Sequence, residues 1–441
     1  MSDTKPRKAD FQAPRGTRDF YPEHMARLNW LFDHWRQVSR RHGFEEYEGP
    51  LYEHLELYTV KSGEGIVSEL FSFQDRGERD LAIRPEITPT LARMIAAKAA
   101  ALPRPIKWFS MPRACRAERP QRGRLREFFQ WNVDVLGSES VLADAECIFV
   151  MLDFLRTVGL GPDLVEVQVN SRTIVGALLE QEGVSPDRHE RVFTVMDRYQ
   201  KLEPDAFREF VLSQGFTDVD FDLITRIIRI PDLDAMKDLV KSDQAKCEFD
   251  RLNELKGYLD HFGVGDYFRY RADVVRGLAY YTGIVFEVFD RGSKLRAIAG
   301  GGRYDNLIRL FNGPDMPAVG FGMGDPVLME LLADLKLLPE TDGAQGPQVF
   351  VIDADAEMFQ TALEMVGRLR MRGIAAEMSY KRQAVGKQFK QAASRCARTA
   401  VVLGRETREQ KLLTIKNLDD GTQSQVDLEK FLEDPAAFVG G

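Results

Sequence analysis

The feature that most constrains the fold of this chain is a pair of strand-like segments joined by an arginine-rich loop. Segments 106–111 (IKWFSM) and 127–137 (EFFQWNVDVLG) flank residues 113–126 (RACRAERPQRGRLR), where six of fourteen positions are arginine. Pro120 and Gly123 interrupt the arginines and predict a loop. The second segment alternates apolar and polar residues, which predicts a β-hairpin with one face in a core and one polar face.

The basic loop contrasts with the whole chain, which has 68 acidic and 60 basic residues and a formal net charge of −8. Guanidinium groups pair bidentately with phosphate oxygens, so the loop is typical of a polyphosphate or nucleic-acid site. A solvated charged loop is the alternative interpretation. The polar strand face beside the loop favours a binding site. The core face carries Phe129, Trp131, Val133 and Val135, and the polar face carries Phe128, Gln130, Asn132 and Asp134.

Cysteine usage and hydropathy indicate the compartment. The four cysteines are widely spaced, without a CxxC pair or a metal-ligand spacing, which favours a reducing environment. Residues 1–13 contain neither an apolar segment nor an arginine-rich transit pattern. The sequence has no run of about 18 apolar residues that would predict a membrane span. We therefore predict a cytoplasmic protein without a membrane segment.

Composition and periodicity predict the domain organisation. Residues 1–13 are expected to form a disordered tail, and 14–335 a first domain. Residues 171–265 are mostly helical in pattern and highly charged, as expected of an insertion within that domain. Residues 336–347 have the composition of a linker, and 348–441 alternate strand and helix, which predicts a compact α/β module.

Local patterns add three elements to the first domain. Apolar residues recur at helical spacing before Gly43, a natural helix stop. Residues 270–290 predict a hairpin. Gly300–Gly302 and the alternating Gly320, Gly322 and Gly324 indicate a backbone that passes close to a ligand or to a neighbouring strand, and both alternatives stay open. The residues of the apolar helical stripe are Met25, Leu28, Phe32, Trp35 and Val38.

Five segments, taken in order, resemble the histidyl-tRNA synthetases, a family of class II aminoacyl-tRNA synthetases. They are RGTRDFYPE with the helix after it, RACRAERPQRGRLREFFQ, RGLAYYTGIVFE, AGGGRYDNL and the C-terminal module. The resemblance implies an α+β catalytic domain with a mostly antiparallel sheet flanked by helices, a helical insertion and a C-terminal α/β anticodon-binding domain. It implies a homodimer formed through the first segment. The implied activity is ATP-dependent conversion of L-histidine to histidyl-adenylate, followed by transfer to the 3′ end of histidine tRNA.

The resemblance also implies a role for individual residues. Arg116 and Arg276 would be catalytic, standing on either side of the α-phosphate. Asp134 and Tyr281 would face the two ring nitrogens, which suits the donor and acceptor pattern of an imidazole. The implied histidine-binding residues are Glu86, Thr88, Arg116, Gln130, Asp134, Arg276, Tyr280 and Tyr281. The implied ATP-binding residues are Arg116, Glu118, Phe128, Arg124 and Arg126; Mg²⁺ comes with ATP, and no metal ligand is assigned among the protein side chains.

Contacts with tRNA are implied at two places. Arg119 and Gln121, at the tip of the loop, correspond to the place where the family reads the acceptor end. The C-terminal module would read the anticodon. Because the net charge is −8, binding would depend on local basic residues and weaken with salt. The candidate basic residues of the module are Lys381, Arg382, Lys387 and Lys390.

The chain departs from the family pattern at the third class motif. That motif normally ends in Gly-x-Glu-Arg, whose arginine covers adenine and reaches the γ-phosphate, but here Val327 takes the arginine's place in Gly324-Asp325-Pro326-Val327. Losing a charge-assisted contact costs about 1.5–3 kcal/mol unless another group replaces it. Arg303 and Arg309 are the candidate replacements. Ala279 also stands where an acidic residue is common.

Two rival functions follow from this departure. One is a catalytically silent paralogue that acts as a regulatory subunit of ATP phosphoribosyltransferase in histidine biosynthesis. Such paralogues typically lack the histidine-specific segments and the C-terminal domain, and both are present here. The other rival is a non-enzymatic RNA-binding protein, which the complete set of amino-acid-binding residues disfavours.

Overall fold

The computed structural model describes residues 11–62, 67, 69–275, 280–292, 295–339 and 346–439. The chain divides into two compact units, one of Met1–Asp19 with Trp30–Leu338 and one of Phe20–Asn29 with Pro339–Gly441. This division lies three residues after the predicted domain end at 335. The assignment of functional domains to these limits stays a prediction.

A mixed, mostly antiparallel sheet forms the centre of the larger unit. Among the described residues the strand order is β1-β5-β7-β12-β11-β10-β8-β9, with β6 paired to β7. The outer pairs β1–β5 and β8–β9 are parallel, and the pairs between them are antiparallel. These strands are β1 (Glu45–Glu46), β5 (Ile106–Ser110), β6 (Arg113–Cys115), β7 (Glu127–Leu136), β8 (Val165–Ser171), β9 (Phe268–Tyr270), β10 (Ile284–Asp290), β11 (Ala299–Arg303) and β12 (Ala318–Gly324).

The arginine hairpin forms as the alternation predicts. Strand β5 pairs with β7, with Trp108 opposite Asp134, and β6 extends the pairing towards the loop. Trp131 and Val133 are fully buried in the core. The predicted hairpin at 270–290 is wrong, because β9 pairs in parallel with β8 and β10 pairs with the other edge of β8.

Helices cover the sheet and share its core. Trp35 of the first helix, Phe154 of α4 and Leu252 of α10 belong to the same buried cluster as Val133. Gly43 follows the first helix with a φ of +77°, the left-handed conformation expected of its stop. The helices are α1 (Pro22–Arg41), α2 (Glu56–Ser62), α3 (Thr88–Lys98), α4 (Val141–Thr157), α5 (Arg172–Gln181), α6 (His189–Met196), α7 (Pro204–Ser213), α8 (Asp218–Ile228), α9 (Leu233–Lys237), α10 (Asp243–His261), α11 (Leu307–Leu310) and α12 (Asp325–Asp334).

Helices α5–α10 form the segment that the sequence predicts to be a helical insertion. It leaves the sheet at the end of β8 and returns at β9, which is the neighbour of β8. The segment therefore begins and ends at one edge of the sheet. A smaller antiparallel sheet, in the order β2-β4-β3, lies before α3 in the chain and is formed by β2 (Tyr52–His54), β3 (Phe71–Gln74) and β4 (Asp80–Ile83).

The smaller unit has an α/β fold with its own core. Its sheet has the order β14-β13-β15-β16-β17, parallel over the first three strands and antiparallel over the last pairs. Val351, Leu369 and Phe431 are buried together in its core. The elements are β13 (Val349–Asp353), α13 (Phe359–Met371), β14 (Ala376–Met378), α14 (Val385–Ser394), β15 (Thr399–Leu403), α15 (Arg405–Gln410), β16 (Leu412–Asn417), β17 (Gln423–Asp427) and α16 (Leu428–Glu433).

Candidate active site

A polar pocket lies on the face of β7 that points away from the core. Gln130, Asn132 and Asp134 alternate along the strand and line this pocket together with residues of α3, β11 and β12. The sequence prediction of a polar face is therefore confirmed for these three side chains. The full lining is Glu86, Thr88, Arg116, Gln130, Asn132, Asp134, Tyr280, Tyr281, Gly300, Tyr304, Gly320, Phe321 and Gly322.

Glycines of β12 make room for the β7 side chains. Gly320 is paired with Asp134 in the ladder, and a Cβ at Gly320 would collide with the Asp134 carboxylate. A Cβ at Gly322 would collide with the Gln130 amide. Gly301 instead packs against the backbone of Gly320 and the ring of Phe286. The close approach to a neighbouring strand is therefore confirmed for these glycines, and the approach to a ligand stays a prediction for Gly320 and Gly322, which line the pocket.

Asp134 is a buried carboxyl group of the pocket. It is 2% exposed, and the Tyr304 hydroxyl donates a 2.5 Å hydrogen bond to its Oδ1. Burial raises the pKa of Asp134 to about 7; the nearby Glu86 charge adds to the rise and the Tyr304 hydrogen bond opposes it. The group therefore titrates near neutrality, as groups in functional sites often do.

Three buried acceptor oxygens on the polar face have no partner. Gln130 Oε1, Asn132 Oδ1 and Asp134 Oδ2 are enclosed, and no described residue donates a hydrogen bond to them. Burying an unpaired polar group costs about 1–3 kcal/mol. The pocket is therefore complementary to a ligand that carries several N–H or O–H donors.

The opposite wall is built from α3 and a tyrosine pair. The Tyr280 hydroxyl donates to Glu86 Oε2 at 3.1 Å, and Thr88 is the first residue of α3. The rings of Tyr280 and Tyr281 lie with their centroids 4.9 Å apart. The wall thus combines a carboxylate, a hydroxyl and two aromatic faces.

Arg116 lines the same pocket. Its guanidinium carbon is 5.0 Å from the centroid of the Phe128 ring, and its Nε donates to the Pro85 carbonyl oxygen at 3.1 Å. Phe128 itself is 8% exposed. The aromatic ring and the carbonyl together hold the guanidinium in place at the pocket.

The arginine loop carries the other predicted residues. Glu118 and Arg124 form an ion pair, and Arg126 Nε donates to the Glu118 carbonyl oxygen at 3.1 Å. Arg119 and Gln121 are exposed near the tip. Part of the loop's charge is therefore held in ion pairs within the protein, and part is exposed at the tip. Arg122 fixes the loop to α12 through Glu330 and Asp334, at 3.0 and 2.9 Å.

Val327 lies beneath this loop. It is 7% exposed in the first turn of α12, in contact range of Gly123. Asp325, at the start of the same helix, accepts a 2.7 Å hydrogen bond from the Phe129 backbone N–H. The residues that replace the third-motif signature therefore anchor the hairpin by packing and by a backbone hydrogen bond.

The two arginines predicted to compensate for Val327 do not line the pocket. Arg303 pairs with Val319 in the ladder, which directs it to the α4 side of the sheet, where it forms a buried ion pair with Asp144. Arg309 lies on α11, 3.4 Å from the exposed Asp315. The Arg303 prediction is wrong because a strand residue at that register faces away from the site, and Arg309 is held by a surface ion pair.

Two predicted positions fall outside the described part of the chain, and two lining residues were not predicted. Arg276 and Ala279 lie outside the described residues. Asn132 and Tyr304 line the pocket but were not predicted as site residues. Asn132 could have been found from the alternation along β7, whereas the bond between Tyr304 and Asp134 joins residues 170 positions apart.

The smaller unit presents a basic loop and helix. Lys381, Arg382, Lys387 and Lys390 are all exposed, and Arg382 is 3.2 Å from Asp353. Tyr380, at 95% exposed, precedes them. Beneath the loop the buried Gln388 donates from Nε2 to the carbonyl oxygens of Asp353 and Gln383, at 3.1 and 2.9 Å.

Among the described residues, no helix combines the length and the apolar character that crossing a membrane requires. No three or more His, Cys, Asp or Glu side chains of the described ranges are grouped so that they could hold a metal ion.

Comparison with known families gives two matches. The histidyl-tRNA synthetase model matches residues 16–324, and the anticodon-binding-domain model matches residues 348–434. The chain is 38% identical to the chloroplastic/mitochondrial histidine–tRNA ligase of Arabidopsis thaliana, over 96% of this chain and 86% of that protein. It is 37% identical to the histidine–tRNA ligase of Opitutus terrae, over 96% of this chain and 97% of that one.

Solved structures agree in fold. The histidyl-tRNA synthetase of Nostoc superposes with a TM-score of 0.78 at 25% identity, covering 97% of this chain and 99% of that one. The apo histidyl-tRNA synthetase of S. aureus gives a TM-score of 0.69 at 21% identity over 96% of this chain and 99% of that chain. The two-domain α+β and α/β fold predicted from the sequence is thereby confirmed.

Proposed function

Because the chain belongs to the histidyl-tRNA synthetase family, we propose that it activates L-histidine with ATP and transfers it to the 3′ end of histidine tRNA. The observation that carries the proposal is the set of unpaired acceptor oxygens on β7, in the same pocket as Arg116. Histidine supplies the matching donors through its α-ammonium group and its ring N–H. Glu86, Thr88 and Gln130 would hold the α-ammonium end.

In this proposal Asp134 and Tyr281 face the two imidazole nitrogens and Tyr280 walls the pocket. Asp134 accepts a hydrogen bond from the ring N–H, and the Tyr281 hydroxyl faces the other ring nitrogen. A site of this kind rejects apolar amino acids because they leave its buried polar groups unpaired. Specificity then comes from hydrogen bonding and not from pocket size alone.

For activation, the histidine carboxylate attacks the α-phosphorus of ATP, and the bond to the pyrophosphate oxygen breaks. Arg116 would neutralise the charge that develops on the α-phosphate oxygens. Arg276, which lies outside the described residues, is proposed on the other side of the same phosphate. Phe128 would stack on adenine and Glu118 would accept from its amino group. Arg124 and Arg126 are proposed to hold the outer phosphates, together with the Mg²⁺ that accompanies ATP.

Transfer to tRNA and assembly complete the proposal. Arg119 and Gln121 would contact the acceptor end, and the smaller unit would read the anticodon. We also propose a homodimer through the first segment, supported by an open cleft on α1 and β1 that Phe32, Arg36 and Glu46 line. The four cysteines are unpaired, as expected in the cytoplasm.

The test is amino-acid-dependent ATP–pyrophosphate exchange by the full chain, with all twenty amino acids and magnesium present. We expect exchange with histidine alone. A folded protein that binds histidine but exchanges no pyrophosphate would contradict the proposal and favour the regulatory subunit of ATP phosphoribosyltransferase. No observation in the structure favours that rival.

Tyr380→Ala is expected to lower the rate of tRNA charging at limiting tRNA by about 10-fold and to leave histidine-dependent exchange unchanged. An exposed ring in a loop fixed from below is suited to stacking on a base, and such stacking is worth about 1–3 kcal/mol. Met371→Ala, which removes another exposed side chain of the same unit (82% exposed), is the matched control. Equal charging by Tyr380→Ala and wild type would remove Tyr380 from the tRNA site.

A further inference from the structure

Arg296 precedes β11, whereas the third-motif residues, including Val327, follow the neighbouring strand β12. In the ladder between β11 and β12, Ala299 is opposite Met323 and Gly300 is opposite Gly322. Arg296 lies three residues before β11, and at this end of the sheet β12 ends at Gly324 and passes directly into α12. Arg296 and Val327, the position that lacks the family's arginine, therefore lie on segments that meet at the same end of the sheet.

The Arg296 side chain is exposed and available to a ligand. Within the described ranges it has no hydrogen bond or ion pair with a protein group. This distinguishes it from Arg303, which is buried against Asp144, and from Arg309, which is paired with Asp315. Of these three arginines, Arg296 alone combines exposure with an unpaired guanidinium.

Arg296 is also close enough to the arginine loop to act on it electrostatically. The pKa of the Arg124 guanidinium is lowered, mainly by burial and then by the positive charges of Arg296 and Arg116, with Glu69 opposing. Glu118 already neutralises Arg124 through their ion pair. The charges of Arg116 and Arg296 are left facing the same region, and such a concentration of like charge is relieved by a polyanion.

We propose that Arg296 binds the outer phosphates of ATP and so replaces the phosphate contact of the missing third-motif arginine. A guanidinium pairs bidentately with phosphate oxygens, which a neutral side chain at 327 cannot do. Arg116 then serves the α-phosphate, while Arg296 and Arg124 serve the pyrophosphate that leaves. This inference rests on the proposed histidine activation and identifies how its ATP is held.

The experiment compares Arg296→Ala, Arg296→Lys and Arg309→Ala with wild type in the full chain. The measurements are the KM for ATP and for histidine in pyrophosphate exchange, and calorimetric affinities for a non-hydrolysable ATP analogue with Mg²⁺ and for AMP. Arg296→Ala should raise the KM for ATP and weaken analogue binding by about 10- to 100-fold, the range for a charge-assisted contact. AMP and histidine affinities should stay within about twofold, because AMP has no outer phosphates. Arg296→Lys should recover part of the loss, and Arg309→Ala should match wild type.

Three results would overturn the inference. These are unchanged ATP affinity in Arg296→Ala, an equal loss for AMP and the ATP analogue, or a loss in Arg309→Ala as large as in Arg296→Ala. A failure of the proposed function itself is recognised separately, because wild type would then show no histidine-dependent exchange. An exposed arginine without a protein partner is removed at little cost in stability, which thermal melting of Arg296→Ala verifies.

Discussion

Replacing Arg116 by alanine should lower histidine-dependent pyrophosphate exchange by about 100- to 1,000-fold, the range for removing one preorganised donor from a developing negative charge. The guanidinium is held between the Phe128 ring and the Pro85 carbonyl oxygen, so it is in place before the substrates arrive. The loss should appear in kcat more than in the KM for histidine, because charge on the phosphate oxygens grows towards the transition state.

Arg113→Ala is the matched control for this experiment. Arg113 is the first residue of β6, the strand that Arg116 follows, but it pairs with Glu127 at 2.8 Å and stands over the Phe129 ring. Its removal should change exchange by less than about threefold, since a surface ion pair contributes about 0–1 kcal/mol. If the two variants lose activity equally, the effect belongs to the hairpin and not to Arg116.

Asp134→Asn should lower kcat/KM for histidine by about 100-fold and at the same time stabilise the unliganded protein. The first effect follows because the variant loses the charge on the acceptor of the ring N–H, a contact worth about 1.5–3 kcal/mol. The second follows because a buried carboxylate is replaced by a neutral group of the same shape that still accepts from Tyr304. The KM for ATP should not change. An unchanged kcat/KM for histidine would contradict the assignment of Asp134.

The raised pKa of Asp134 determines how the stability of the wild-type protein changes with pH. The pKa of Asp134 is raised from about 3.8 to about 7 in the folded protein. Between these values the folded chain keeps a proton that the unfolded chain has lost, so this group makes folding less favourable as pH rises through that interval. Asp134→Asn removes the dependence, and its advantage in melting temperature should be larger at pH 8 than at pH 5. Histidine binding has the opposite trend, weakening below pH 7 as the carboxylate is protonated.

Short-range patterns predicted much of the fold and of the site. The alternation along β7 placed Trp131 and Val133 in the core and Gln130 and Asp134 in the pocket, because a strand has only two faces. The roles of these residues were predicted from the resemblance, because an aspartate on a strand does not by itself indicate a function.

What the sequence could not predict depended on contacts between distant segments. The hairpin at 270–290 failed because β8, about a hundred residues earlier, lies between β9 and β10. Arg303 was a candidate replacement for the third-motif arginine, but its position opposite Val319 directs it to Asp144 on the other side of the sheet. Arg296 was not predicted because only the pairing of β11 with β12 brings its segment to the same end of the sheet as Val327.

The glycines of β12 limit how this pocket can change. A side chain at Gly320 or Gly322 would occupy the space that the Asp134 carboxylate and the Gln130 amide now fill. These positions are already at the smallest possible residue, so no substitution there can enlarge the pocket. A variant that accepts larger amino acids must therefore change a lining residue that has a side chain to lose, such as Tyr280 or Tyr281. The two glycines thus set a fixed lower limit to the side-chain volume on β12.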